Sequence, residues 1–327
     1  MPGTDPIEAA RTVFGELPEL PHVPELPARG IGADLIGRTG GLLVDLPLEV
    51  VPSGYRVTAR PGRDQRRAID LMRHDLDAVQ DAAERAGGRP RAIKAQAAGP
   101  WTLTASIELA RGHKVLTDAG ALREFTASLI EGLAAHTTQL RARTGLDVVL
   151  QLDEPSLPAV LDGQIPTPSG YGTIAAVPEP QARDLLATVI DGVRRTTGTP
   201  VVVHCCAPHP PVALLHGAGA DALAIDTTVE PDSSTLDELG AAWDAGAIVL
   251  LGLVPGVQPD QTPALAEVAE PALRLVDRLG FNRTLLAERA VPTPACGLAG
   301  ANTTWMRRAL SLVRDLGRAF VEPPEGW

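Results

Sequence analysis

Cysteine is scarce: three in 327 residues, at 205, 206 and 296. That number excludes a disulfide framework and leaves reduced thiols, metal ligands or core residues. Long apolar runs are missing, since no stretch approaches 18 uncharged apolar residues, so no membrane-spanning helix is expected. The opening Met1-Pro2-Gly3-Thr4-Asp5 has neither a basic region nor an apolar one, and a secretory signal is not expected. Runs of positive charge are missing too. Arg141 with Arg143, and Arg307 with Arg308, are short clusters in a chain of net charge −11, so a nucleic-acid partner is disfavoured. No glycine-rich phosphate fingerprint follows the first predicted strand, which weakens a dinucleotide-binding alternative. What remains is a globular balance, 44% apolar and 21% charged, with a cytoplasmic location expected.

Residues 1–40 carry Pro18, Pro21, Pro24, Pro27, Gly30 and Gly32, and are expected to form an extended segment wrapping a scaffold. Beyond residue 64, helical spacing through Ala68, Leu71, Met72, Leu76, Val79 and Ala82 predicts a helix that stops at Gly87-Gly88. Short apolar runs then alternate with amphipathic stretches. The predicted strands are 92–96, 148–153, 200–204, 222–226, 248–254 and 290–292. Helices are predicted over 119–143, 180–196, 233–245, 264–279 and 302–320. Such alternation predicts a parallel sheet with crossover helices, and the uninterrupted Val201-Val202-Val203 suits a strand covered on both faces. Polar residues recur at the strand ends: Gln96, Asp153-Glu154, His204, Asp226 and the segment before Cys296. A (β/α)8 barrel gathers its site from such ends, and one α/β barrel spanning residues 1–327 is the expected fold.

Val201 to Cys206 carries the strongest chemical signal. Side chains alternate faces along a strand, so His204 and Cys206 point one way and Cys205 the other. That spacing lets His204 and Cys206 share a zinc ion, although a core histidine beside two small buried thiols fits the hexapeptide equally well. Asp226 ends the next predicted strand and Cys296 follows the last. Alone, Asp226 suits a helix N-cap and Cys296 a buried thiol; together the four would meet at the mouth of a barrel.

These residues resemble the catalytic C-terminal barrel of the cobalamin-independent methionine synthases, which is similar in fold to uroporphyrinogen decarboxylase. His204-Cys205-Cys206 matches that family's His-x-Cys, and Pro294-Ala295-Cys296-Gly297-Leu298 its Pro-Asp-Cys-Gly-Leu. Gln151-Leu152-Asp153-Glu154-Pro155-Ser156-Leu157 matches Gln-Ile-Asp-Glu-Pro-Ala-Leu, and Gly99-Pro100-Trp101-Thr102 a Gly-Pro-x-Thr element. The resemblance runs from about residue 95 to 300. It implies a zinc-dependent enzyme that methylates the thiol of homocysteine, with His204, Cys206, Cys296 and Asp226 as zinc ligands. It also implies that Asp153 binds the amino group of homocysteine, with Glu154 beside it either sharing that binding or orienting its neighbours. The donor would be a 5-methyltetrahydrofolate-type compound or another methyl carrier.

Four departures accompany the resemblance. Asp226 stands where the family has Glu, one methylene shorter. The stretch 252–260 lacks the histidine that the family places near its methyl donor. Met1-Pro2-Gly3-Thr4 resembles a clipped Gly-Ser-Phe-Pro-x-Thr element, so a first strand that is absent or incomplete is expected. There is also no room for the second barrel that helps hold folate in the two-barrel members. A methylcorrinoid-protein:thiol methyltransferase and a catalytically degenerate zinc- or thiol-binding barrel are therefore the alternatives.

Overall fold

The computed structural model describes every residue except Arg89 and Gly326. In chain order come α1 (Pro6–Glu16), α2 (Leu35–Gly40), β1 (Leu48–Val51), β2 (Gly54–Val57), α3 (Arg63–Arg85), β3 (Ala92–Ala98), α4 (Pro100–Ser106), β4 (Ile107–Glu108), α5 (Ala119–Thr144), β5 (Asp147–Asp153), α6 (Leu157–Leu161) and α7 (Glu179–Thr197). The chain continues through β6 (Val201–Cys205), α8 (Val212–Gly217), β7 (Ala222–Asp226), α9 (Ser233–Asp244), β8 (Ile248–Val254), α10 (Leu265–Arg278), α11 (Thr284–Arg289), β9 (Ala290–Pro294) and α12 (Thr303–Val321). Six strands form one parallel sheet in the order β3-β5-β6-β7-β8-β9. It curls into a half-barrel. Residues 21–23 run alongside β3, with Lys94 N donating to Pro21 O and Val23 N to Lys94 O, and the described strands do not close the barrel expected from the sequence. Strands β1, β2 and β4 make a separate small sheet.

The parity of each strand sorts its side chains into two layers. Leu150, Leu152, Val201, Val203, Cys205, Leu223, Ile225, Val249 and Leu251 face the helices and belong to the main core. Val202, Ala222, Ala224 and Leu250 face inward and form a small cluster at the base of the curled sheet. Continuing along that inner face, the positions nearest the strands' C-terminal ends are Gln151, Asp153, His204 and Asp226. The fold thus delivers polar groups to one rim.

The N-terminal 40 residues differ from the extended segment expected. Pro6–Glu16 is helical: Asp5 caps it by accepting from Ile7 N at 2.8 Å, Pro6 supplies a preset first-turn φ, and Ala10, Val13 and Phe14 are buried. The prolines at 18, 21, 24 and 27 all lie after that helix. A second short helix begins at Leu35, capped by Asp34. Among the described residues no helix is long and apolar enough to cross a membrane.

Candidate metal centre

His204 ends the inner face of β6, and Cys206 is the next residue of the same parity. Cys205, pointing the other way, is fully buried in the helix-facing core, where burial pushes its thiol up to about 12. Cys296 arrives from the far side. β9 ends at Pro294, Ala295 N donates to Val254 O at 2.8 Å, and the chain turns in to Cys296. Gly252 on β8 permits this approach: a Cβ there would lie 2.7 Å from Ala295 Cα and 2.8 Å from Ile225 O.

The result brings one ligand atom each from His204, Cys206 and Cys296 within 4.8 Å of one another. The two sulfurs are 3.3 Å apart and unbonded. They titrate as a pair sharing one proton. The remaining thiol's hydrogen bond to the first thiolate lowers Cys296 to about 6, and the same contact, with burial, raises Cys206. One imidazole nitrogen and two soft sulfurs fit zinc, which accepts three protein ligands and keeps a fourth position for substrate. An oxygen-seeking calcium or magnesium ion would not select this set.

Asp153 pairs with His204 across the β5–β6 ladder. Its Oδ1 lies 2.7 Å from His204 Nδ1 and accepts a second hydrogen bond, also 2.7 Å, from Gln151 Nε2. With Nδ1 engaged, Nε2 is the imidazole nitrogen left for the metal-ligand group, and Asp153 Oδ2 takes no hydrogen bond from the described residues. Lys94 Nζ donates to Gln151 Oε1 at 2.7 Å.

Two other expected site residues make their hydrogen bonds outside that group. Glu154 has no exposed surface and turns onto the start of α4. It accepts from Trp101 N at 2.9 Å and, through Oε2, from Thr102 N at 2.7 Å and Thr102 Oγ1 at 2.8 Å. Burial raises its carboxyl to about 7 against those bonds. Gly99 leaves it room, since a Cβ there would meet Glu154 Oε1 at 2.4 Å, so the Gly-Pro-x-Thr element serves as the seat of Glu154. Asp226 stands outside the three-residue group. Its Oδ1 folds back to accept from Thr228 N at 2.8 Å and Thr228 Oγ1 at 2.6 Å, a local turn that a short Asp side chain makes readily.

Lys94 and Gly252 received no role from the sequence, although both left a mark there. Lys94 is the one charge in Ala92–Ala98 and sits at an inward position, and Gly252 interrupts the apolar run of β8.

Residues 1–319 match the family model described as cobalamin-independent synthase, catalytic domain. The chain belongs to that family. A B12-independent methionine synthase from Shewanella sp. W3-18-1 in complex with selenomethionine shares the fold at TM-score 0.53 and 14% identity, over 76% of this chain and 66% of that one. The cobalamin-independent synthase domain seen here therefore spans just under two thirds of that enzyme's length. Weaker likenesses are a putative phosphonomutase from Burkholderia cenocepacia J2315 (TM-score 0.27, 17% identity, 62% of this chain and 87% of that one) and an adenine deaminase from Arthrobacter aurescens (TM-score 0.31, 14% identity, 78% and 76%). No curated protein matches.

Proposed function

We propose that this domain is a zinc-dependent methyltransferase that moves a methyl group onto the thiol of homocysteine. The observation that carries the proposal is the meeting of His204, Cys206 and Cys296 at one rim of the half-barrel, in a chain of this family. A zinc ion held by these three side chains would supply the charge that makes a substrate thiol, ordinarily of pKa about 8.5, a thiolate at neutral pH. Asp153 would use its free Oδ2 for the substrate's ammonium while Oδ1 holds His204. The two cysteines, both deprotonated as ligands, would keep the site electron-rich, which suits alkyl transfer better than water activation. Glu154 would act indirectly, anchoring the end of β5 to α4. Asp226, bonded to Thr228, is assigned no ligand role.

For the donor, the stretch 252–260 favours a carrier that leaves without needing a proton, because it contains no histidine. A methylated corrinoid meets that condition better than a methyl-folate. Zinc-loaded protein given homocysteine and each donor in turn tests the proposal. Methionine with a methylcorrinoid but not with 5-methyltetrahydrofolate is the expected outcome. A protein that holds zinc yet forms no methionine from either donor would instead be a binding barrel.

A further inference from the structure

Four side chains from three neighbouring strands form an unbroken polar chain that ends on the metal-ligand group. Lys94 Nζ on β3 donates to Gln151 Oε1 on β5 at 2.7 Å. Gln151 Nε2 donates to Asp153 Oδ1 at 2.7 Å. Asp153 Oδ1 meets His204 Nδ1 on β6, again at 2.7 Å. Sheet register places them so: Gln96 lies opposite Gln151, and Asp153 opposite His204, with Lys94 two residues back on the same inner face. We propose that Lys94 is a positioning residue of the metal centre, fixing the orientation and tautomer of His204 through Gln151 and Asp153.

The physical reason lies in the amide of Gln151, which has one acceptor end and one donor end. An ammonium has only hydrogens to give, so Lys94 holds the oxygen and turns the NH2 toward Asp153. A flipped amide would set its oxygen against a carboxylate and its NH2 against an ammonium. Asp153, gripped from one side, presents an acceptor to the imidazole. His204 answers with Nδ1–H, and the lone pair of Nε2 is free for a metal. Burial pulls the Lys94 ammonium down from its ordinary value, opposed by the nearby Asp153 and Glu25 carboxylates, so the direction of the chain rests on the hydrogen-bond geometry. Outer partners of this kind alter metal affinity about 10- to 100-fold when removed. Lys94 is three hydrogen bonds from the imidazole, and an effect near the low end, about tenfold, is expected.

This inference rests on the metal-site reading above, but its first test needs no metal. In metal-free wild-type protein, long-range 1H–15N NMR of the histidine rings should show His204 as the Nδ1–H tautomer; an Nε2–H tautomer overturns the proposal. In Lys94→Met the tautomer should become mixed, and zinc affinity by competition with a chelator should fall about tenfold. Gln151→Met should lower it similarly, and the double variant should be no weaker than Gln151→Met alone. Additive losses, or an unchanged tautomer in a folded Lys94→Met protein, would assign Lys94 a merely structural role and overturn the chain. If Lys94→Met does not fold, Gln151→Glu supplies the comparison: it keeps a partner for Lys94 but faces Asp153 with an oxygen in place of a donor, so zinc affinity should fall about tenfold, and an unchanged affinity overturns the chain. Wild-type protein that shows the expected tautomer but binds no zinc would refute the proposed function and leave the polar chain standing.

Discussion

Replacing Gly252 by Ala should damage the metal centre through the backbone alone. The added methyl would lie 2.7 Å from Ala295 Cα, 2.8 Å from Ile225 O and 3.2 Å from Asp226 Cα. All three are backbone atoms, so no side chain can swing away. Ordinary contact begins at 3.4 Å, which requires β9's end to retreat by about 0.7 Å, and the next residue is Cys296. Overpacking of this kind costs about 1–3 kcal/mol. With an unfolding entropy of about 2 cal/mol/K per residue, the 327 residues give a fall in Tm of about 2–4 °C. Metal sites tolerate ligand shifts of only about 0.2 Å, so zinc affinity should drop by at least about tenfold even where the protein stays folded. Thermal unfolding and chelator competition measure the two effects. Gly15→Ala is the control, because a Cβ there meets nothing within 4 Å; in α1 it should stabilise by about 0.5–1 kcal/mol. A Gly252→Ala protein with wild-type Tm and zinc affinity would refute the close approach of β8 and β9.

Other variants probe separate parts of the molecule. Burial, with a smaller push from Arg38, lowers His136 to about 4. A base depressed in the folded state contributes stability above its unfolded pKa of about 6.5 and loses it as pH falls from there toward the folded value. At pH 5 the loss is about 2 kcal/mol, so His136→Gln should show a correspondingly smaller drop in stability between pH 7.5 and 5 in denaturant titrations. Asp75 is 2% exposed and receives Arg29 at 2.7 Å and Arg38 at 2.5 Å. Asp75→Asn leaves Arg29 without its carboxylate partner and Arg38 with only Glu25, 3.4 Å away, and denaturation should report a loss of about 3–5 kcal/mol. Asp226→Ala should bind zinc within about threefold of wild type, since its carboxylate is held by Thr228; loss of zinc would restore it as a fourth ligand.

The six parallel strands were legible because burial on both faces forces long apolar runs, and their bounds fall within two residues of those expected. β1, β2 and β4 carry two to four residues each, too short for periodicity to register. The helix at Pro6 was hidden by the prolines that follow it, although its Asp-Pro start is visible once the segment is divided there. For the site, alternation along β6 correctly separated His204 and Cys206 from Cys205. The partnership of Asp153 with His204 was not legible, because it depends on register between two strands and no single strand records it. For Asp226 and Glu154 the sequence left a site role and a local role open, and the local bonds are the ones seen: Asp226 accepts from Thr228, and Glu154 from Trp101 and Thr102.

Zinc content of the purified protein, for wild type and for Cys296→Ser, decides whether His204, Cys206 and Cys296 hold a metal. One zinc per wild-type chain and almost none in a folded Cys296→Ser protein is the predicted result. Wild-type protein that binds no zinc, or a Cys296→Ser protein that binds it as well as wild type, would contradict the three-residue centre.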